Sequence, residues 1–341
     1  MRILHLLSSP FWSGPAENVA LLALAQRALG HEATVAVDRL RTQVASEEPA
    51  VPRLQALGPG LLDEGGLELS VKSSPLAIVR DAAALRRRKG VDVVHAHFSH
   101  DHLLATVAKP RRSVLVRSIH APRSIRRSLP PAGGFTVPSE VELEQLGRKN
   151  AIVLTPLLGP EYRPPGDRAA LRRELGIEGQ PVVGMVSTFQ ESRRHALAIE
   201  AFDRLRERRP AARMVLVGDG QLEGEIRQLV HREELDEAVT FAGYQRGEAF
   251  VRWLQAMDEV WILGQGNDYS GRAALQARAC GVRTIAVAEG GLTRFADVAL
   301  DAPTAGPIVE ASLGGQRRDV PLPSNEATAR EVLAMYERAR T

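Results

Sequence analysis

The segment from Asp268 to Gly281 contains the residues of this chain that are best suited to chemistry. Asp268 provides a carboxylate, and Gln276 provides an amide eight positions later. A polar loop, a helix that ends at Gly281 and a following β-branched run are typical of a ligand-facing loop in an open α/β sheet. The backbone N–H groups of Gly271 and Arg272, at the start of that helix, could bind a phosphate.

Two arginines near a second helix start could also bind an anion. Arg193 and Arg194 follow a strand-like run that ends at Thr188. Cations at a helix N-terminus oppose the helix dipole, so their position there needs a reason. Arg193 could hold a phosphate through two hydrogen bonds, and Thr188 could add one neutral bond. The alternative is a solvated arginine pair.

Histidines are concentrated at strand ends in the first half of the chain. His95 and His97 alternate on one strand, so their side chains share a face. His100 and His102 follow, so a metal site has to be considered. The sequence offers no second cluster of convergent ligands, and we expect a packing role and no metal. His120 ends the next strand, where open α/β sheets place ligand-binding residues; the alternative is a structural histidine.

Strand-like and helix-like runs alternate along the chain, which predicts parallel sheets built from βαβ units. The length of 341 residues fits two domains of about 150 residues each, and Pro and Gly cluster at the boundary, 158–168. We expect one Rossmann-like domain over 1–158, a second over 159–324 and a helix at 325–340. The segment 300–322 shows no clear pattern. The predicted strands are Arg2–Leu7, Ala33–Asp38, Val91–Phe98, Ser113–His120, Phe135–Val137, Ala151–Leu154, Pro181–Thr188, Arg213–Val217, Val239–Ala242, Glu259–Leu263 and Arg283–Ala288.

Composition restricts the class of protein. Hydrophobic residues make up 44% and charged residues 25% of the chain, as in ordinary soluble domains. The net charge of +3 argues against a protein that coats nucleic acid. Cys280 is the only cysteine, which excludes an intramolecular disulfide. No apolar stretch approaches the ~20 residues of a membrane span, and we expect a cytoplasmic protein.

One segment is strongly basic. Lys109–Arg127 contains seven Lys or Arg residues and no Asp or Glu. A solvated basic face is one interpretation. The others are peripheral contact with an anionic membrane surface, at the inner face of the membrane, and direct binding of a phosphorylated acceptor. The segment lacks the interleaved aromatic residues of a nucleic-acid groove, so we expect no nucleic-acid partner.

Together these motifs resemble those of the family 4-type (group 1) retaining glycosyltransferases, and the resemblance covers nearly the whole chain. The segments that carry it are Ser13-Gly14-Pro15-Ala16-Glu17-Asn18, Val91–Phe98, Val116–His120, Val186–His195, Met214–Gly220, Phe241-Ala242-Gly243-Tyr244 and Asn267–Gly281. The resemblance implies an α/β protein with the GT-B fold, in which two doubly wound Rossmann-like domains face each other across a cleft. It also implies that helix 325–340 packs back onto the first domain.

The resemblance assigns roles to individual residues. His120 and Asp268 would be catalytic residues that face the donor sugar. Tyr244 and Gln276 would contact the nucleoside. The residues that would bind the donor and its diphosphate are Gly14, Thr188, Arg193, Arg194, Gly271 and Arg272. Similar enzymes have glutamates at the positions of Asp268 and Gln276 and an arginine at the position of Thr188, so this chain has less charge at its site.

The implied activity is retaining transfer of a hexose-like unit from a nucleotide diphosphate sugar to an acceptor, with no metal or other cofactor. The resemblance leaves the acceptor unknown: a polysaccharide, a glycolipid or another glycoconjugate, including a lipid-linked one, would fit. The departures at Thr188, Asp268 and Gln276 favour a second hypothesis, a GT-B protein with weak or no turnover that acts as a binding or partner subunit. A third hypothesis, a sugar-nucleotide epimerase on the same plan, fits less well because the second-domain motifs align with transferases.

Overall fold

The computed structural model describes most of the chain. The described residues are 1–40, 48–126, 128–266 and 268–341. Arg127 of the basic segment and Asn267 of the motif before Gly281 lie outside them. Within the described part of the chain, no helix combines the length and the apolar composition needed to cross a bilayer.

The chain divides into two compact units, each with one parallel sheet. The first unit comprises Met1–Leu158 and Pro323–Thr341, and the second comprises Gly159–Leu322. The strands are β1 (Arg2–Leu7), β2 (Glu32–Val37), β3 (Val93–Ala96), β4 (Val114–Ser118), β5 (Gly134–Val137), β6 (Ala151–Val153), β7 (Val182–Val186), β8 (Arg213–Val217), β9 (Val239–Gly243), β10 (Glu259–Ile262), β11 (Arg283–Val287) and β12 (Val298–Leu300). The helices are α1 (Gly14–Ala28), α2 (Ala50–Leu57), α3 (Pro75–Arg87), α4 (Ser99–Ala108), α5 (Glu140–Leu146), α6 (Arg168–Glu174), α7 (His195–Arg208), α8 (Glu223–Arg232), α9 (Gly247–Ala256), α10 (Arg272–Ala279), α11 (Ala305–Gly314) and α12 (Asn325–Arg340).

The first sheet has the strand order β2-β1-β3-β4-β5-β6, and its neighbouring strands pair in parallel. Side chains of β1 alternate between two apolar cores. Ile3 and Leu7 belong to the core that includes α1 and α12, and Leu4 and Leu6 belong to the core that includes α3 and α4. Burial on both faces explains why the strands of this sheet are nearly continuous apolar runs.

Helix α12 completes the core beside α1. Its Val332 and Tyr336 are fully buried. The side chain of Asn325 fixes the start of the helix, because it accepts a hydrogen bond from the Leu158 N–H at 3.0 Å and donates one to the Leu158 carbonyl oxygen at 2.8 Å. Burial of a large apolar side chain contributes about 1.5–3 kcal/mol. The helix is therefore an integral part of the first unit, although the whole second unit separates it from β6 in sequence.

The second sheet has the strand order β12-β11-β10-β7-β8-β9, again with parallel pairs. Phe202 of α7 and Trp261 of β10 are buried in its core together with Leu216 and Ile308. In each sheet, the strand that comes first in the sequence lies inside the sheet. The strand or strands that come next along the chain lie on one side of it, and the strands after those lie on its other side, so the strand order reverses at this strand. These reversal points lie between β1 and β3 and between β7 and β10, and ligands of open α/β sheets bind at such points.

The α/β class with two doubly wound sheets is confirmed, and most strands lie within two residues of their predicted positions. The segment 300–322 differs, because it contains the helix α11 that the sequence pattern did not indicate. Gly306, Pro307 and Gly314 make this segment look like a loop. The helix packs on α7 and buries Ile308, so tertiary packing overrides the weak local propensity.

Candidate functional site

The carboxyl ends of β7, β8 and β10 bring several predicted site residues to one edge of the second sheet. Residues 187–194 follow β7, and residues 263–266 and 268–271 follow β10, on the two sides of the reversal point. Gly218, which follows β8, has φ of 141°, and a Cβ there would lie 2.1 Å from the Ser187 carbonyl oxygen. Only a glycine allows this close approach, which holds the loop after β7 in place.

Arg193 lies against the loop that follows β10. Its Nη1 donates hydrogen bonds to the carbonyl oxygens of Gly264 at 3.2 Å and Gln265 at 2.9 Å. Gly266 adopts φ of 48°, and a Cβ there would lie 2.2 Å from Arg193 Nε. Nε itself is buried and has no hydrogen-bond partner among the described residues. Burial lowers the pKa of Arg193, while the charge of Asp268 raises it. The loop therefore fixes a cation at the reversal point with one N–H group uncommitted.

Arg194 is held differently from its neighbour. Its Nη2 donates to Glu289 Oε1 at 2.6 Å, and its Nη1 donates to the Leu263 carbonyl oxygen. Glu289 Oε2 accepts from the Gln265 N–H at 3.1 Å, and the hydrogen bond from Arg194 lowers the pKa of Glu289. Arg194 thus links the loops after β7, β10 and β11. Its predicted contact with a diphosphate stays a prediction, and the sequence analysis missed Glu289 although an acidic residue after a strand end was a visible signal.

His195, which the sequence analysis left without a role, also lies at this edge. Its ring stacks on Phe189 with 4.2 Å between ring centroids, and its Nε2 lies 3.3 Å from Ser187 Oγ. Its Nδ1 is buried without a partner in the described residues. Burial and then the charge of Arg193 lower the pKa of His195 to about 4. This histidine is therefore neutral at physiological pH and adds no charge to the arginines before it.

Asp268 caps helix α10. Its Oδ1 accepts from the backbone N–H groups of Ser270 and Arg272, each at 3.2 Å, and its Oδ2 accepts from the Ala273 N–H at 3.0 Å. A carboxylate at a helix N-terminus is stabilised by these donors and by the helix dipole. Gly271 adopts φ of 69°, which turns the chain into the helix. We expected the Arg272 N–H to be available for a phosphate; instead, Asp268 occupies it.

Gln276 lies one turn further along α10 and is 7% exposed. With its amide oriented toward the surrounding donors, its oxygen accepts from Tyr162 OH at 2.8 Å and from Nε and Nη2 of Arg272 at 3.1 and 3.2 Å. Tyr162 packs edge-on against Phe250. The predicted ribose acceptor therefore already has two protein donors. Tyr162 was missed, because only the fold brings it to this helix.

Three other residues of the second unit differ in their surroundings. Thr188 is exposed at the end of β7. Tyr244 is 54% exposed, and the guanidinium of Arg246 lies 4.7 Å from its ring centroid. Tyr244 could therefore stack on a base or only on Arg246. Cys280 is fully buried, and burial raises the pKa of its thiol to about 12, so it is not a nucleophile.

In the first unit, Gly14 and His120 lie at the carboxyl end of the sheet. Gly14 begins α1, after Ser13 as the N-cap residue. The ring of His120 stacks on that of His97 at 5.6 Å between centroids, and its buried Nε2 has no partner within the described residues. Burial and then the charge of Arg117 lower the pKa of His120 to about 3. His120 is a neutral histidine at a strand end, and its role toward a donor sugar stays a prediction.

His95 and His97 share a face, as predicted, and His5 of β1 joins them. The ring centroids of His95 and His97 are 4.3 Å apart. One nitrogen of each of the three rings lies within 4.8 Å of the others, the spacing of a metal-binding group. However, His95 Nδ1 lies 2.6 Å from Tyr336 OH and its Nε2 lies 2.8 Å from Ser118 Oγ. A cation would have to displace such bonds, so the geometry favours a packed polar network.

The hydrogen bonds of this network fix its tautomers. Gln26 Nε2 donates to Tyr336 OH at 3.2 Å, so Gln26 Oε1 accepts from His5 Nε2 at 2.9 Å. Burial lowers the pKa of His5 to about 4 and that of His97 well below its usual range, so both rings are neutral. His5 Nδ1 must then accept from His97 Nε2 at 3.0 Å. His97 Nδ1 is left with its lone pair buried and unpaired among the described residues.

The basic segment is not one continuous surface. Arg111, Arg112, Arg123 and Arg126 are exposed. Arg117 is only 1% exposed, because it lies on β4. The prediction of a surface formed by all the cations of Lys109–Arg127 is therefore corrected at this residue.

Both units match models of one glycosyltransferase group. Residues 12–156 match the model described as Glycosyltransferase Family 4, and residues 167–298 match the model described as Glycosyl transferases group 1.

Three curated relatives illustrate the likeness in sequence. The D-inositol 3-phosphate glycosyltransferase of Stackebrandtia nassauensis is 31% identical over 45% of this chain and 37% of its own length. That of Kribbella flavida is 27% identical over 81% of this chain and 75% of its own length. The N-acetyl-alpha-D-glucosaminyl L-malate synthase of Bacillus anthracis is 26% identical over 64% of this chain and 62% of its own length. The chain thus spans about a third to three quarters of these relatives.

Solved structures define the fold. Anabaena Alr3699/HepE in complex with UDP superposes with a TM-score of 0.71 at 17% identity, over 99% of this chain and 98% of that one. AviGT4, a glycosyltransferase involved in Avilamycin A biosynthesis, gives a TM-score of 0.67 at 17% identity, over 100% and 98% of the two chains. With the two doubly wound sheets, these likenesses define the GT-B class. The chain belongs to the family 4-type, group 1 glycosyltransferases.

Proposed function

We propose that this protein is a retaining glycosyltransferase that moves a hexose unit from a nucleotide diphosphate sugar to an acceptor. The observation that carries the proposal is Arg193 at the reversal point of the second sheet. Loop carbonyl groups hold its Nη1, its Nε is buried and unpaired within the described residues, and the neighbouring His195 is neutral. A buried cation with a free donor suits a diphosphate, which can accept charge-assisted hydrogen bonds.

The remaining roles follow from this placement of the diphosphate. Gln276 would share its amide oxygen between Arg272 and a ribose hydroxyl. Tyr244 would stack on the base. Asp268, close enough to Arg193 to influence its pKa, would stabilise positive charge that develops on the donor sugar. No metal takes part in this scheme, because Arg193 supplies the positive charge for the leaving diphosphate.

The test is release of nucleoside diphosphate from a panel of nucleotide diphosphate sugars. Reactions with and without D-inositol 3-phosphate or L-malate, the compounds in the relatives' names, address the acceptor. We expect turnover with one donor, a product with the anomeric configuration of that donor by NMR, and a strong loss in Arg193→Ala. A product with inverted configuration would refute the retaining mechanism.

One observation favours a second function, that of a binding subunit with little turnover. Asp268 already accepts hydrogen bonds from Arg272 and Ala273 at the start of α10. Its carboxylate is therefore partly neutralised before any sugar arrives. A chain that binds a nucleoside diphosphate tightly but neither hydrolyses nor transfers the sugar of any donor would support this function over the first.

We further propose peripheral contact with an anionic membrane, centred on α3 and α4 rather than on the whole basic segment. Val79 of α3 and Leu103 and Val107 of α4 are 59–68% exposed. Arg86 donates to the Val107 carbonyl oxygen, so cations adjoin this apolar ridge, and exposed Arg111 follows α4. Apolar side chains flanked by cations suit the interface of an anionic bilayer.

The membrane proposal predicts that the chain co-sediments with phosphatidylserine vesicles and less with phosphatidylcholine vesicles. Leu103→Ser with Val107→Ser should reduce co-sedimentation, because these side chains would insert. Reversing the charges of Arg123 and Arg126 outside the ridge serves as the matched control. If the control loses as much vesicle binding as the serine variant, a diffuse basic face explains the membrane binding, and insertion of the apolar side chains does not.

A further inference from the structure

The backbone of Gln265 connects two residues of the candidate site in the second unit. Its carbonyl oxygen accepts hydrogen bonds from Arg193 Nη1 at 2.9 Å and from the Asp268 N–H, also at 2.9 Å. Arg193 is the proposed ligand of the diphosphate, and Asp268 is the proposed catalytic anion. The position of one carbonyl group therefore fixes the cation and the carboxylate relative to each other.

Gln265 needs support from outside its own loop. Residues 263–266 belong to no helix or strand, so no ladder of backbone hydrogen bonds holds them. The acceptor of the Gln265 N–H is Glu289 Oε2, at 3.1 Å, in the segment that follows β11. Gly290 leaves room for the Gln265 side chain, because a Cβ there would lie 2.1 Å from Gln265 Nε2. The segment after β11 thus supports Gln265 through both its backbone and its side chain.

Glu289 is itself held firmly. Its N–H donates to the Val287 carbonyl oxygen at 2.8 Å, and its carbonyl oxygen accepts from the Leu292 N–H at 3.2 Å. Its Oε1 accepts from Arg194 Nη2 at 2.6 Å, and this bond lowers the pKa of Glu289, so the carboxylate is ionised. A carboxylate has acceptors on both oxygens and no donor, so it can bridge a guanidinium and a backbone N–H group.

We propose that Glu289 is a positioning residue of the donor site, which holds the backbone of Gln265 so that Arg193 and Asp268 face the donor together. Glu289 acts through Gln265 and does not touch the donor. The bond from the Gln265 N–H is not needed for the ion pair with Arg194, so this role is separate from that pair. The proposal rests on the proposed function, because that function assigns Arg193 to the diphosphate and Asp268 to the sugar.

The variant that tests this role is Glu289→Gln, which keeps the volume of the side chain. Its one amide oxygen can accept from either donor but not from both, and the charged Arg194 forms the stronger bond. The amide NH₂ group then faces the Gln265 N–H, donor against donor, and displaces the Gln265 backbone. Because the Glu289 side chain is 32% exposed, the change leaves the apolar core intact.

Glu259 provides the matched control. Its two oxygens also bridge two donors, Trp261 Nε1 and Arg283 Nη1, and its side chain is buried. It begins β10, at the edge of the sheet opposite to Gln265. Glu259→Gln should therefore destabilise the second unit at least as much as Glu289→Gln, without displacing Gln265.

The first measurement is amide hydrogen exchange of the full chain without ligand. In Glu289→Gln, the N–H of Gln265 loses its acceptor and the N–H of Asp268 loses a fixed one. We expect both amides to exchange on the order of tenfold faster relative to the amides of β8, because local opening becomes easier. Glu259→Gln should leave this ratio unchanged.

The second measurement separates binding from turnover. Titration calorimetry uses UDP, ADP and GDP, each compared with its nucleoside, and initial rates use the donor sugar that the parent chain turns over. We expect Glu289→Gln to weaken binding of the nucleoside diphosphate about tenfold, because Arg193 loses its fixed position, with little change for the nucleoside. We expect kcat to fall about tenfold to a hundredfold, because Asp268 is displaced.

Two results would overturn the positioning role. One is unchanged exchange of the Gln265 and Asp268 amides in Glu289→Gln, whether or not the chain transfers a sugar. The other is an equal loss of affinity for nucleoside and nucleoside diphosphate with an unchanged kcat, as in a residue that only stabilises the fold. A parent chain that neither binds a nucleoside diphosphate nor turns over a donor refutes the proposed function, whereas faster exchange in Glu289→Gln would still support the contact between Glu289 and Gln265.

Discussion

The consecutive arginines Arg193 and Arg194 show how side chains of the same type acquire different hydrogen-bond partners. Arg193 Nη1 donates to loop carbonyl oxygens and its Nε has no partner among the described residues, whereas Arg194 is paired with Glu289. The backbone separates them, because Arg194 adopts the left-handed conformation with φ of 60°. That conformation directs the two consecutive side chains to different partners: Arg194 links the loops, and Arg193 is the one proposed to bind the ligand.

We predict that Arg193→Ala weakens binding of a nucleoside diphosphate by about 1.5–3 kcal/mol, the range for hydrogen bonds to charged groups. Binding of the unphosphorylated nucleoside should change little, because only the diphosphate contacts Arg193. Isothermal titration calorimetry with both ligands measures the difference.

Arg194→Ala is the matched control. It should lower the melting temperature, because it leaves Glu289 without its cation, and it should weaken both ligands to a similar degree. If Arg193→Ala loses as much affinity for the nucleoside as for the nucleoside diphosphate, Arg193 contributes by holding the loops in place.

A second residue-level prediction concerns Gln276→Glu. A carboxylate there accepts from Arg272 and Tyr162 as the amide does, and it forms a charge-assisted bond to a ribose hydroxyl. We expect nucleoside diphosphate binding to tighten on the order of 1 kcal/mol, since charge roughly doubles the strength of such a bond. The gain should vanish with the 2′-deoxy ligand. An unchanged affinity for both ligands would remove Gln276 as a ribose contact.

At the scale of elements, the carboxylate at the start of α10 meets two demands, one structural and one proposed to be catalytic. Asp268 satisfies the N–H groups of Arg272 and Ala273, which the helix itself leaves unpaired. The same side chain is the proposed catalytic anion. Because aspartate is shorter than the glutamate of similar enzymes, it reaches its own helix more readily, which explains the capping geometry.

Asp268→Asn separates these two demands. The amide oxygen still accepts from the helix, so stability should fall by less than about 1 kcal/mol, whereas Asp268→Ala should cost about 1 kcal/mol. If the carboxylate stabilises the sugar cation, Asp268→Asn should lower kcat at least tenfold with little change in nucleotide affinity. Denaturant melts and initial rates measure the two effects. A variant with normal kcat would reduce Asp268 to a helix cap.

The elements were predictable from sequence where the pattern was strong and local. Strands β1 and β8 lie at their predicted bounds, because continuous apolar runs identify strands buried on both faces. Helix α11 was missed, because Gly and Pro conceal a helix that tertiary packing stabilises. The place of Arg193 at the carboxyl edge of the second sheet could be predicted from its position before a helix. Tyr162 and the burial of Arg117 could not, because they depend on contacts distant in sequence.

At the scale of the whole molecule, the two units differ in their content of buried histidine. The first unit buries His5, His95, His97 and His102, and His120 is partly buried. Burial is the main cause of the lowered pKa of each of these five residues. Among the described residues of the second unit, His195 is the comparable one. Acid should therefore lower the stability of the first unit more than that of the second unit.

The direction in which stability changes with pH follows from the difference between the folded-state and unfolded-state pKa of each group. The folded pKa of His5, about 4, lies below the unfolded value of 6.5, so its neutral form contributes stability that is complete above pH 6.5 and is lost as the pH falls toward 4. The loss at pH 5 is about 2 kcal/mol for one such histidine. Asp101 acts in the opposite direction, because burial raises its pKa to about 7, and it offsets roughly one histidine. The net effect of the group is destabilising in acid.

We predict that lowering the pH from 7.5 to 5 destabilises the first unit by several kcal/mol and the second unit by less. Hydrogen exchange of the amides of β1 and β3 against those of β7 and β8, corrected for intrinsic rates, measures the two units separately. His5→Gln should lower stability at pH 7.5 but lose about 2 kcal/mol less on acidification. His231→Gln, at a side chain that is 81% exposed, should leave the acid response unchanged. Equal protection loss in both units, or an unchanged acid response in His5→Gln, would show that the buried histidines do not govern acid stability.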